Sequence, residues 1–405
     1  MRYVGQMRIT LLSVGLVSSF LVACGSTSAP AGPGGGDAAT GGDAAAGDDG
    51  GAADASTGDG GFATAPHTPF PPLAPHAGKV FAAPHVVSMT YAGYNHQQEV
   101  EDFGNYVVTS SWLKTVGKDY GVGVGTHTAA RMTATAPATI NDAGISLVID
   151  QAMTAGTVPV PAAGNQNIYI VYFPQSVKID DGTGSILCSA TGAVGYHSVA
   201  THGGVDYAYA VLPDCTGKLG DITSTSSHEI IEAATDPFDK PNAGYSMDPP
   251  LPNPWYAAGG NEDADLCQYE VDTMDGPWTV QRSWSTSAAA AGGSPCAPAV
   301  AGEIYFNTSA APDTVQKVAA GGSVTFTITG WSTAEKAAWK LKVDPADVSD
   351  FDPGGTLSAN AIQNGTTVTL TLTAPAGTPR GQVGAVYIAS GAFGEHYWPV
   401  AIQVK

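Results

Sequence analysis

Positive charge is the scarcest feature of this 405-residue chain: 16 Lys and Arg stand against 36 Asp and Glu, for a formal charge of −20. Nucleic acids and anionic lipid surfaces recruit basic patches, so no nucleic-acid partner is expected. Long apolar runs are also missing. After Val22 no stretch is long and apolar enough to span a bilayer, so the rest of the chain is expected to be soluble. There are only five cysteines and no C-x-x-C pair, which argues against a four-cysteine zinc site. Gly25 to Pro75 holds no Lys or Arg and almost no large apolar residue before Phe62. Such a Gly, Ala, Pro, Ser, Thr and Asp tract cannot bury enough surface to offset chain entropy, so residues 24–75 read as a disordered linker.

The amino terminus gives an address. Arg2 and Arg8 precede an apolar run, Ile9 to Val22, that is short for a membrane span and leads into Ala23-Cys24-Gly25. The arrangement resembles a bacterial lipoprotein signal. That likeness implies removal of residues 1–23, lipidation of Cys24 and tethering to the cell envelope at the outer membrane, with neither face favoured. The competing readings are an uncleaved membrane helix and a plain secretory signal. In an oxidising compartment Cys188, Cys215, Cys267 and Cys296 are expected to form two disulfides. Four cysteines allow three connectivities; chain order suggests 188–215 and 267–296.

Periodicity outlines two folded regions, 76–298 and 302–405. In the first, Val86 to Tyr91 reads as a strand, Gln97 to Val116 as one or two helices, Tyr120 to Thr126 as a strand and Ile145 to Ala155 as a helix capped by Asn141 or Asp142. Ile168 to Phe173, Val194 to His197 and Tyr207 to Leu212 follow as strands, before a helix around His228. The order predicts an α/β or α+β domain. In the second, alternating runs at Ser323 to Ile328, Trp339 to Val343, Thr367 to Leu372, Val383 to Ala389 and Tyr397 to Val404 predict an all-β sandwich of immunoglobulin-like size, expected to be a binding or spacer module. Glu395 and His396 read as surface residues.

The chemistry concentrates in Ser226-Ser227-His228-Glu229-Ile230-Ile231-Glu232-Ala233-Ala234-Thr235-Asp236-Pro237. On a helix, His228 and Glu232 share one face a turn apart, Glu229 lies alongside, and Ile230 and Ile231 turn toward a core. H-E-x-x-E is the zinc-protease pattern H-E-x-x-H with a carboxylate in place of the second histidine; in that pattern residues i and i+4 hold the metal and the intervening Glu activates water. A carboxylate ligates zinc but favours harder cations, so zinc is expected first and calcium second. Asp236 falls where Pro237 stops the helix. Read instead as an ordinary amphipathic helix, the stretch is capped by Thr223 to Ser227, with Ser226 and Glu229 forming a capping box. Further on, Glu262-Asp263-Ala264-Asp265 places three carboxylates on a loop before Cys267, where they repel one another unless solvated or sharing a cation.

Taken in order, Tyr169 to Pro174, Gly195 to Ser198, Tyr209 to Pro213, Ser227 to Pro237, Trp255-Tyr256, Glu262 to Cys267 and Gln281 to Ser285 resemble a group of secreted bacterial proteins related to the plant Exordium-like, phosphate-induced proteins. The resemblance covers roughly residues 85–298. It implies a zincin-like helix with glutamate in place of the second histidine, and an acidic loop of the form Gly-Glu-x-x-Asp-x-Cys matched by Glu262, Asp265 and Cys267. On that basis His228, Glu232, Asp236 and Glu262 or Asp265 make a mixed metal shell, with disulfide 267–296 holding the loop. Glu229 is then the general base, and His197 or Tyr196 steadies an oxyanion.

The fold expected is therefore a zincin-like α/β (or α+β) domain followed by an immunoglobulin-like sandwich. The function expected is an envelope-tethered metallohydrolase, metallopeptidase-like, acting on a peptide or cell-wall polymer. In the alternative, a non-catalytic extracellular binding protein, the same residues hold a structural cation and exposed Trp255, Tyr256 and Trp278 engage carbohydrate or a protein partner. A third reading, a wall spacer without metal, predicts His228 far from Glu262. An open cleft at Glu229 favours the enzyme; its use as a helix cap does not.

Overall fold

The computed structural model describes residues 61–189, 193–238, 243–247, 253–346 and 348–405. The signal segment 1–23, Cys24 and the linker as far as Gly60 lie outside them. The protein is mixed α/β. Five strands, β1 (His85–Thr90), β2 (Thr126–Arg131), β3 (Asn167–Phe173), β4 (Tyr196–His202) and β5 (Val205–Pro213), form a sheet in the order β2-β1-β3-β5-β4. All neighbours are parallel except β4, which runs antiparallel to β5 at one edge. Gly203 and Gly204 join that hairpin with φ of 57° and 82°, the doubly positive turn that glycine adopts without strain.

β3 is an unbroken apolar run because both faces of the sheet are covered. Its alternate side chains part into two cores. Ile168, Ile170 and Tyr172 pack with α1 (Gln97–Val107), α2 (Ser111–Val116) and α4 (Leu219–Thr235). Tyr169, Val171 and Phe173 pack with Ile145 and Ile149 of α3 (Asp142–Thr154), whose first turn is capped by Asn141 Oδ1 accepting from the Gly144 amide at 2.9 Å. The strand expected at Tyr120 to Thr126 lies later. Lys118–Tyr120 is a 3₁₀ turn, Gly121 turns the chain at φ 78°, and only Thr126–Arg131 pairs with the sheet.

α4 is the central helix, buried from Ile222 through Thr235. It begins at Leu219, so Thr223 to Ser227 are interior turns and no capping box forms. Its polar residues tolerate burial by bonding back along the helix: Thr225 Oγ1 donates to Asp221 O (2.9 Å), Ser226 Oγ to Ile222 O (2.7 Å) and Ser227 Oγ to Ser224 O (2.6 Å). Ile230 and Ile231, fully buried, add roughly 1.5–3 kcal/mol each to its docking.

The second region holds two sheets whose inner faces share one core. One is β6 (Phe306–Ala311), β7 (Ser323–Ser332) and β9 (Thr367–Thr373) with the short strand Gly355–Leu357; the other centres on β8 (Trp339–Pro345), β10 (Val383–Ser390) and β11 (His396–Val404). β9, Thr-Val-Thr-Leu-Thr-Leu-Thr, buries each apolar residue and turns its threonines outward, the period-2 pattern of a half-buried strand.

The two regions are not separate bodies: Ala63–Lys405 belong to one compact unit. Order begins well before residue 75, because Ala65, Phe70 and Leu73 are buried. Phe70 lies among Trp255, Trp284, Tyr305, Trp331 and Trp398, with ring centroids 5.5–6.2 Å away. His67 stacks on Trp331 at 3.7 Å, and Asn364 bonds the backbone of Ala63 and Ala65. Trp255 is consumed in this cluster, at 8% exposure, which removes it from any exposed aromatic platform; Trp278 is half-buried edge-on to Phe103. His396, expected at the surface, is 1% exposed because it packs against Tyr305, Phe306 and Glu270. Both disulfides, 188–215 and 267–296, are the pairs suggested by chain order. They fit an oxidising compartment, and among the described residues no helix is long and apolar enough to cross a membrane.

Candidate metal centre

α4 places Glu232 one turn from both His228 (i, i+4) and Glu229 (i, i+3), so one carboxylate is flanked by two donors on the same helix. His228 Nε2 stands 3.0 Å from Glu232 Oε2 and 3.8 Å from Asp265 Oδ1. The 3.0 Å approach lacks hydrogen-bond alignment, and none of these three atoms has a hydrogen-bond partner although all are buried. The other ring nitrogen is committed: His228 Nδ1 donates to Gln281 Oε1 at 2.9 Å, while Gln281 Nε2 donates to Ala264 O at 2.8 Å. That bond fixes the ring with Nε2 facing the carboxylates, the usual arrangement behind a metal-binding histidine.

Asp265 reaches the helix because its loop is clamped on several sides. Its amide donates to Glu232 Oε1 (3.0 Å), the Trp284 amide to Asp263 O (2.8 Å), and Cys267 is bonded to Cys296. Closing a loop of 29 residues stabilises the fold by about 3–4 kcal/mol. Asp263 itself is structural: Oδ1 accepts from Thr235 Oγ1 (3.2 Å) and Oδ2 from Ser283 Oγ (3.0 Å).

His197 arrives from the edge strand β4. Its Nδ1 lies 3.6 Å from Glu229 Oε2 and 3.5 Å from Glu232 Oε2. Its Nε2 faces the Asp236 carbonyl oxygen at 3.3 Å and Glu262 Oε1 at 3.6 Å. Gly195 makes room for this, since a Cβ there would sit 2.9 Å from Glu229 Oε1 and 2.7 Å from Thr225 Cγ2. Two groups of donors thus converge, each within 4.8 Å: His228, Glu232 and Asp265; and His197, Glu229 and Glu232. These buried groups could hold a metal ion. Asp236 and Glu262 stand beside them in neither group, with Asp236 Oδ1 accepting from the Gly244 amide at 2.9 Å.

Charge explains why these positions are unusual. Burial pulls His228 down, but Glu232, Glu229 and Asp265 overcome it and push it up to about 10. Burial opposes ionisation of Glu232 too, and the His228 and His197 imidazoles still hold it down to about 2. Burial raises Glu229 and drives Glu262 and Asp265 well above the carboxylate range, with Glu232 adding repulsion. Among the described residues no Lys or Arg pairs with Glu229, Glu232, Glu262 or Asp265. A divalent cation bound among these groups would supply that missing charge and displace the protons.

The sequence singled out every donor in the two groups, but not the role of Gln281. Its signal was weak: one of several polar residues in Gln281-Arg282-Ser283-Trp284-Ser285, with nothing local to set it apart. Comparison with known proteins finds no matching family model and no matching curated protein.

Proposed function

We propose that the protein is a zincin-like metallohydrolase with peptidase chemistry. The observation that carries this reading is the convergence of three buried atoms without hydrogen bonds, His228 Nε2, Glu232 Oε2 and Asp265 Oδ1, backed by Gln281. These residues would hold the ion, zinc in the first instance. When bound, a divalent cation lowers the pKa of its water and polarises a carbonyl. Glu229, next to His228 with both oxygens free of hydrogen bonds, accepts the proton of the attacking water. Burial raises its pKa, which strengthens it as a base. In this reading His197, buried beside Glu229 and Glu232, would steady developing negative charge while Nδ1 carries a proton. β4 is an edge strand that pairs only with β5 among the described residues, and an extended peptide lies along such an edge by main-chain bonding.

The Exordium-like relationship, the lipid anchor at Cys24 and an immunoglobulin-like character for the 302–405 region belong to the same proposal, with a peptide or wall polymer as substrate. One observation favours a second reading: His228, Glu229 and Glu232 are all 0% exposed, as suits a structural cation in a non-catalytic binding protein. Metal content of the purified protein by mass spectrometry, beside a His228→Ala, Glu232→Ala double variant, tests the pair. Near-stoichiometric zinc lost in the variant, with cleavage of a peptide library abolished by Glu229→Gln, supports the hydrolase. Calcium alone supports the structural cation, and no metal in either sample removes both.

A further inference from the structure

We propose that His197, Glu229 and Glu232 form a second cation site, sharing Glu232 with the first. The inference builds on the metal-centre reading above and adds a regulation to it. When a cation occupies the second site, the Glu229 lone pairs are held and no longer accept a proton.

Three observations meet here. Ligand atoms about 2.1 Å from an ion at tetrahedral angles stand about 3.4 Å apart; His197 Nδ1 is 3.5 Å from Glu232 Oε2 and 3.6 Å from Glu229 Oε2. His197 Nδ1, both Glu229 oxygens and Glu232 Oε2 are buried without a hydrogen bond. The far nitrogen of His197 faces acceptors, the Asp236 carbonyl at 3.3 Å and Glu262 Oε1 at 3.6 Å, so a proton kept on Nε2 has a partner when a cation takes Nδ1 on the carboxylate side. This repeats what Gln281 does for His228: each histidine has one nitrogen anchored and the other directed at Glu232.

Glu232 Oε2 is the atom common to both sites, while Oε1 is held by the Asp265 amide. Two cations sharing one oxygen repel, so the ions bind in sequence: a tight first ion at His228, then a second at least tenfold weaker. Low cation concentration fills the first site and leaves Glu229 as base; excess cation silences it.

Equilibrium dialysis of the metal-free protein against zinc, with bound zinc counted by mass spectrometry, tests this. Two zinc ions per wild-type chain, and one in His197→Gln and in Glu229→Gln, are expected; either variant decides if the other fails to fold. One ion in the wild type and in both variants overturns the second site while leaving the first. Two ions in all three proteins place the second ion elsewhere and also overturn it. No ion in any protein removes the metal-centre reading itself.

Discussion

Among the described residues, two buried clusters of histidine and carboxylate stand in contrast, and they differ in one residue type. Around Arg282, the guanidinium bonds Glu270 Oε2 and Glu303 Oε2 at 3.2 Å each, Ser294 Oγ at 3.1 Å and the Cys296 carbonyl at 3.0 Å, while His396 meets Glu270 at 3.1 Å. Around His228, the carboxylates have only imidazoles opposite them. The first cluster carries its own permanent cation and joins the two regions of the unit; the second directs unpartnered lone pairs at common points. Burial of acid is tolerated in either place, but charge balance marks one cluster as structural and leaves the other as groups that could hold a metal ion.

Removing the resident cation should have the largest effect. Arg282→Met leaves buried Glu270 and part-buried Glu303 with only the His396 imidazole opposite them and is expected to cost about 3–5 kcal/mol in urea denaturation; a loss under about 1 kcal/mol would dissolve the comparison. Next comes the support of the cation-binding cluster. Gln281→Leu frees the His228 ring and should weaken zinc binding about 10–100-fold in chelator competition, with the metal-free fold intact by circular dichroism.

The sharpest contrast is one of sign. Asp265→Asn replaces a carboxyl group whose ionised form burial and Glu232 already disfavour, so the metal-free variant is expected to match the wild type or exceed it by on the order of 1 kcal/mol. A destabilisation like that of Arg282→Met would show that the His228 cluster is already balanced.

The smallest effect uses a histidine outside both clusters. Burial, then His85, lower His127 to about 4, the opposite direction from His228, because burial outweighs Glu101. The unfolded chain binds that proton near pH 6.5 and the folded one only near 4, so this contribution is present above pH 6.5 and lost as pH falls toward 4. Discounted for partial exposure it amounts to about 1 kcal/mol, and His127→Gln should flatten that part of the stability profile measured by thermal melts.

Much of the fold could be read in advance where a local rule governed it. The β9 alternation, the apolar β3 run and the Asn141 cap follow from side-chain direction along a strand or helix, and all three are present. Trp255 and His396 were misplaced because exposure depends on what else packs there, and Phe70 with the other aromatic rings arrives from distant segments. The linker boundary moved for the same reason: a weakly apolar stretch becomes ordered once Phe70 has a pocket.

The sequence by itself determined the local part of the centre: His228, Glu229 and Glu232 at i, i+1 and i+4, where helical geometry leaves no choice of face. Chain order suggested the disulfide pairs among three possible connectivities, and the structure shows those two. Tertiary structure alone brought His197 from a sheet edge and Asp265 from a clamped loop to the same carboxylate, and anchored each imidazole by its far nitrogen. Helical phase repeats every few residues and can be counted; long-range convergence depends on sheet order and loop closure, which no short stretch encodes.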